Sequence, residues 1–255
     1  MKKSKRPSSV QGTPSPPDKA VAAEEVLRTL RALGSPRNVE GMARFGISVR
    51  GTLGVSMPVL RGLAKEHRHD HSLAQKLWDS GIHEARIMAS LVDNPALVTS
   101  SQMDLWVRDV DSWDICDQCC ANLFALTSFA WAKALRWSRY RRTYTKRAGF
   151  ALMACLAQTK YKAADSAFAP FFACIEAEAD DDRPMVKKAV NWALRQIGKR
   201  NTTLYKRALS LAVRLSKSSV PSSRWIGSDA VRELSGKTAN AMVERHERIL
   251  RRSAR

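Results

Sequence analysis

The sequence predicts an all-α chain, an α-solenoid in which paired helices stack into a superhelix. Three observations carry this expectation. From about residue 19 onward, apolar residues recur at spacings of three and four, the mark of helices with one buried face. Strand-like alternation is scarce, and short Gly, Pro, Ser or Asn punctuation separates the periodic segments. Helix pairs return at about 35–45 residues, which suits a stack of two-helix repeats.

Residues 1–18 hold four of the ten prolines together with Ser, Gln and Lys, a mixture too poor in apolar surface to offset the entropy of ordering. They are predicted to be a disordered basic tail, residues 19–236 the repeat domain, and 237–255 a basic C-terminal helix or tail. Ser35-Pro36, Ser56-Met57-Pro58 and Val220-Pro221-Ser222 read as helix starts, because proline is tolerated in a first turn, where its missing N–H has no partner to lose. Gly34, Gly46, Gly81 and Gly236 fall where helix ends are expected. The result is roughly a dozen helices of about 10–17 residues. The glycine-rich stretch from Gly46 to Val55 is expected to be a loop. Such elements describe a HEAT-like helical repeat, whose curvature leaves a concave face able to cradle a long ligand.

Hydrophobic residues make up 44% of the 255, enough for a sizeable core. No apolar run approaches the roughly 20 residues a bilayer crossing needs. The opening MKKSKR is followed by no apolar stretch, so export is not expected. Five cysteines (Cys116, Cys119, Cys120, Cys155, Cys174) lie inside helical segments and are odd in number, which argues for free, buried thiols in a reducing, cytoplasmic compartment.

Charge is the decisive figure. Lys plus Arg number 43 against 24 Asp plus Glu, a net charge of +19 that favours a polyanionic partner. Between Gln118 and Ala164 there is no acid, while Lys133, Arg136, Arg139, Arg141, Arg142, Lys146, Arg147, Lys160 and Lys162 are present. A face of one sign should bind nucleic acid with steep salt dependence. The acidic run Glu176 to Asp182 is then expected to turn away and cap the following helix.

Three helices place unexpected residues outside their core stripe. In the segment from Ser112 to about Leu126, with Ser112 as N-cap, the stripe is Ile115, Cys119, Leu123 and Leu126. Trp113 and Asp117, four apart, project together from another face. Asp114 suits a first turn through the helix dipole, an account that fits Asp117 poorly. From about Arg141 to Gln158 the stripe is Gly149, Leu152, Met153 and Leu156, and Arg147 points the other way, over the small Ala151 and Ala154. From Arg183 to Lys199 the stripe is Val186, Ala189, Val190, Ala193 and Ile197, and opposite run Lys188, Trp192, Arg195 and Lys199, a tryptophan amid cations. The DNA-contacting set predicted from these faces is Arg141, Arg142, Lys146, Lys187, Lys188, Arg195, Lys199 and Arg200.

The segments DSWDICD (Asp111 to Asp117), KRAGFALMA (Lys146 to Ala154) and VKKAVNWALRQIGKRN (Val186 to Asn201) resemble the AlkD-like family of DNA alkylation repair proteins. The resemblance spans roughly residues 20–235 and is specific in these three segments. It implies a HEAT-like superhelix with a basic concave groove holding duplex DNA, and a glycosylase that removes N3- and N7-alkylated purines without metal or cofactor. It further implies that Asp117 is the catalytic carboxylate, with Trp113 and Trp192 holding the nucleotide and its sugar. Arg147 and Lys188 would hold phosphates, Arg147 nearest the lesion. The expected partner is double-stranded DNA carrying alkylated purines, bound by a monomer and not by a membrane. The segment departs from the family pattern in its single Trp and the added acid at Asp114.

Two other readings remain open on the same residues: a non-catalytic DNA- or RNA-binding module, and a protein-binding scaffold. Cys116-x-x-Cys119 has metal-ligand spacing but no second pair, and the run His67 to His71 sits at a helix end where basic residues are expected, so no metal site is expected. Glu84 reads as structural.

Overall fold

The computed structural model describes residues 19–253, so the predicted tail 1–18 lies outside the described residues. Fourteen α-helices follow one another, with no strand among the described residues. They are α1 (Lys19–Ala32), α2 (Pro36–Ala43), α3 (Met57–Ala64), α4 (His71–Asp79), α5 (His83–Val92), α6 (Ser100–Asp109) and α7 (Trp113–Asn122), then α8 (Ala130–Trp137), α9 (Thr143–Leu156), α10 (Ala169–Ala177), α11 (Pro184–Gly198), α12 (Thr202–Ser216), α13 (Pro221–Leu234) and α14 (Lys237–Ser253). Short 3-10 turns follow α3 and α7 and precede α10.

Local chemistry sets most of the boundaries. The side chains of Ser35, Asp70, Thr99 and Asn201 accept from backbone N–H groups in the first turns of α2, α4, α6 and α12. Proline occupies the first turn of α2, α3, α10, α11 and α13, which includes all three predicted proline starts. Gly46 to Val55 is a loop as expected. Glu84 on α5 anchors its far end by accepting from the N–H groups of Leu53, Gly54 and Val55.

The helices pack in two rows. Helices α3, α5, α7, α9, α11 and α13 follow one another in contact, and α4, α8 and α12 pack against members of that row. Their apolar stripes form one continuous core. Where α9 crosses the end of α8, a Cβ on Gly149 would lie 2.4 Å from the Ser138 backbone nitrogen, so only glycine permits the approach. The stripe read for α11 is fully buried.

Two expectations need correction. The segment beginning at Ser112 ends as a helix at Asn122, and the following 3-10 turn leaves Leu126 exposed instead of in the core. Helix α9 has no free side from Thr145 to Leu156, because α7, α8 and α11 all pack on it; Ala151 and Ala154 are filled-in core, not open space. All five cysteines are buried and free, and burial pushes the Cys155 thiol up to about 12.

Candidate functional site

Helices α7, α9 and α11 are neighbours in the inner row, and that adjacency brings residues about 30 positions apart into contact. At the start of α7, Ser112 donates its hydroxyl to Asp114 instead of capping the helix. The second Asp114 oxygen meets His83 Nε2 from α5 at 2.8 Å. Burial alone would raise the Asp114 carboxyl, but His83, the Ser112 hydroxyl and the Ile115 N–H outweigh it and hold the group below its ordinary range. Asp114 is thus a strut that fixes the orientation of α7, and His83 is its unforeseen partner.

One turn further, Asp117 makes a bidentate pair with Arg147 of α9. Arg147 Nε donates to Oδ1 at 2.9 Å and Nη2 to Oδ2 at 2.7 Å, while Nη1 donates to the Met185 carbonyl at the start of α11 at 2.8 Å. The guanidinium carbon also lies 5.9 Å from the centre of the Trp113 ring. Both charges were expected outside the core. In the structure the Asp117 side chain keeps 19% exposure and that of Arg147 only 7%, because α11 closes over the face of α9 that periodicity left free. Burial lifts the Asp117 carboxyl above its ordinary value although Arg147 pulls it down. Arg147, with three of its donors engaged inside the protein, orients the carboxylate.

Trp113 is half-buried and its indole N–H donates to the Phe45 carbonyl at 3.0 Å. Trp192 is half-buried on α11 against the core. Trp113, Asp114 and Phe45 line a cavity of about 820 Å³ that also takes in Met42 and Met57. Phe45 was not singled out in the sequence. Its signal is an isolated aromatic between a cation and a glycine in a segment without helical period, a pattern that periodicity scanning passes over.

The predicted DNA-contacting cations divide. Lys146 is buried against Glu178 and Asp181, the latter at 3.0 Å, so the acidic run neutralises a neighbouring helix instead of capping α11, whose N-cap Arg183 makes no side-chain cap. Arg183 itself pairs with Asp181. Arg195 meets Glu233 and Asp229 of α13, and Lys199 meets Glu233 at 2.6 Å. Arg200 is buried and donates to the carbonyls of Ala157, Gln158, Tyr161 and Ala163, locking the connection after α9. Lys146, Lys199 and Arg200 are buried and Arg195 is half-buried against α13, where all four were expected on the DNA-contacting face. Arg142 ties to the Arg108 carbonyl but stays exposed, Lys187 lies 5.0 Å from the Trp225 ring, and Arg141 and Lys188 are exposed.

A row of stacked helices with a carboxylate–guanidinium pair next to a tethered tryptophan defines a helical-repeat scaffold whose candidate site lies where α7, α9 and α11 meet. A family model described as DNA alkylation repair enzyme matches residues 26–234, and the chain belongs to that family. One matching solved structure covers 82% of this chain and 94% of its own, at a TM-score of 0.69 and 18% identity. It is described as a new family of proteins related to the HEAT-like repeat DNA glycosylases with affinity for branched DNA structures. At that identity the likeness establishes the HEAT-like fold. No curated protein matches the sequence.

Proposed function

We propose that this protein excises N3- and N7-alkylated purines from duplex DNA, with Asp117 as the catalytic carboxylate. Membership of the DNA alkylation repair enzyme family supports the class of reaction. The observation that carries the finer reading is a carboxylate held in one orientation by Arg147, whose guanidinium lies over the Trp113 ring, and still partly exposed to solvent. Alkylation leaves the purine cationic, so the bond from C1′ to the base nitrogen breaks with its electron pair moving onto the departing base. The sugar moves toward an oxocarbenium ion, which a fixed carboxylate stabilises by an interaction of roughly 3–4 kcal/mol. Water then adds to C1′ and gives up a proton, which a carboxylate made more basic by burial is suited to accept. Trp113 and Trp192 would hold the cationic nucleotide and its sugar, each ring worth on the order of 0.5–2 kcal/mol. Exposed Arg141, Arg142 and Lys188 would take phosphates.

One observation favours a second reading. Both Asp117 oxygens are engaged by Arg147, which neutralises the charge the chemistry needs, and a DNA-binding module without catalysis would look the same. Incubation with N-methyl-N-nitrosourea-treated DNA separates the two. The enzyme releases free 7-methylguanine and 3-methyladenine, and Asp117→Asn abolishes release while duplex binding persists. Trp192→Ala should impair release more than non-specific binding; equal losses would count against that ring. Binding without any base release by the wild-type protein leaves the module reading.

A further inference from the structure

The loop that follows α2 reaches the cavity beside Trp113 and lines it with Arg44, Phe45 and Ile47. Helix α2 buries none of its residues, and the loop's far end is pinned by Glu84. Its near end is turned back on α2 by backbone bonds from Phe45, Gly46 and Ile47 to the Met42 and Ala43 carbonyls, and is tied to α7 by the hydrogen bond from the Trp113 indole to the Phe45 carbonyl. Gly46 follows with φ +73°, a left-handed conformation that a side chain would strain, so the chain turns sharply and leaves Phe45 at the apex. A Cβ on Gly46 would lie 3.6 Å from Met185 Cε. The apex therefore rests against the same residue whose carbonyl holds Arg147.

Phe45 is 73% exposed, the highest among the exposed large hydrophobic residues described, with Val49 four positions on at 55%. A lone exposed apolar residue is ordinary. Phe45 differs because its backbone is fastened to the cleft tryptophan and cations flank it. Arg37, Arg44 and Arg50 are exposed and have no carboxylate partner among the described residues, against the single acid Glu40 between Pro36 and Val55. Apolar wedges set among phosphate-binding arginines are how proteins part a base step and bend a duplex, and parting is easiest where damage has already weakened the stack.

We infer that Phe45 is a wedge residue: when duplex DNA occupies the cleft, its ring inserts at the base step beside the alkylated purine while Arg44 and Arg50 hold the flanking phosphates. The inference rests on the reading that the Trp113–Asp117 cleft receives an alkylated purine in duplex DNA. Because the Phe45 carbonyl holds the indole, insertion and placement of Trp113 are one movement, which confines tight engagement to duplexes that admit the ring.

The test uses a duplex with one 7-methylguanine and 2-aminopurine as its neighbour, bound to the full chain carrying Asp117→Asn so that no base is lost. Fluorescence is read at saturation established by anisotropy. Insertion unstacks 2-aminopurine, so its emission should rise severalfold, and Phe45→Ala in the same chain should remove most of the rise at equal occupancy. Phe45→Trp should retain it. The exposed position and the unchanged backbone carbonyl leave folding intact, checked by circular dichroism. An equal rise with Phe45→Ala, or no rise with Phe45 present, overturns the wedge. The excision reading is judged separately by base release from methylated DNA: a Phe45-dependent rise without release leaves the wedge standing and removes the catalysis.

Discussion

The stacked helices α9 to α13 and the loop after α2 both carry cations, yet they use them in opposite ways. In the stack, Lys146, Arg183, Arg195 and Lys199 each touch a carboxylate, and Arg200 is spent on four carbonyls. In the loop region, Arg37, Arg44 and Arg50 stand in solvent without an acid partner among the described residues. A net charge of +19 says that a polyanion will be attracted; pairing says where. Within the stack the cations that face neighbouring helices are taken up inside the protein, and those that remain exposed, Arg141, Arg142 and Lys188 among them, are the ones left for a polyanion.

The difference is tested most severely at the Asp117–Arg147 pair. Arg147→Ala strands Asp117 in a covered position and should cost about 3–5 kcal/mol in urea unfolding at pH 8. The sign of its pH dependence follows from the raised Asp117 pKa: a carboxyl that is harder to ionise when folded destabilises only in its charged form. The deficit should therefore shrink as pH falls through the folded value. A deficit independent of pH would mean that the guanidinium contributes packing alone.

Asp181 provides the opposite sign. The Arg183 hydrogen bonds, with Lys146 acting against burial, hold its carboxyl down at about 2 from an ordinary 3.8. Its contribution is complete above the ordinary value and lost as pH falls toward about 2. Asp181→Asn should cost about 1–2 kcal/mol at neutral pH, with the two melting curves converging in acid.

A smaller effect separates the regions by salt. Losing one phosphate contact lowers the slope of log affinity against log salt by about 0.9, roughly a threefold change between about 50 and 200 mM. Arg44→Gln and Arg50→Gln should each show it with stability unchanged within about 0.5 kcal/mol. Arg195→Gln and Lys199→Gln should leave the slope alone and lower stability, because they release Glu233 and not a phosphate. The reverse pattern would move the binding face back to α11.

The fold was legible because it follows from short-range rules: proline in first turns, apolar spacing, the glycine loop. Trp113 and Asp117 were legible as a pair because four residues is one turn. Their setting was not, since the helix face of Arg147 says nothing about α11 lying on it, and Lys146 gives no hint of Glu178 from 32 residues away. Single-helix periodicity reports the face turned to the nearest partner; in a repeat stack an inner helix has partners on several sides. Phe45 escaped for the converse reason, belonging to a segment with no period at all.

The mildest test concerns how loosely the loop region is attached. Ser35 accepts the Asn38 N–H and caps α2, and losing such a cap costs about 1 kcal/mol of helix. Because α2 buries no residue, that cost should remain local. Ser35→Ala should accelerate amide exchange in residues 36–43 by roughly fivefold, as about 1 kcal/mol implies, while the global melting temperature holds. The Asn38 side chain, bonded to the Gly54 carbonyl at 2.8 Å, should limit the opening to the helix and keep the Glu84-anchored end closed. A fall in melting temperature matching the full cap loss would show that α2 unfolds with the core, and the contrast between a rigid stack and an independently mobile loop region would not hold.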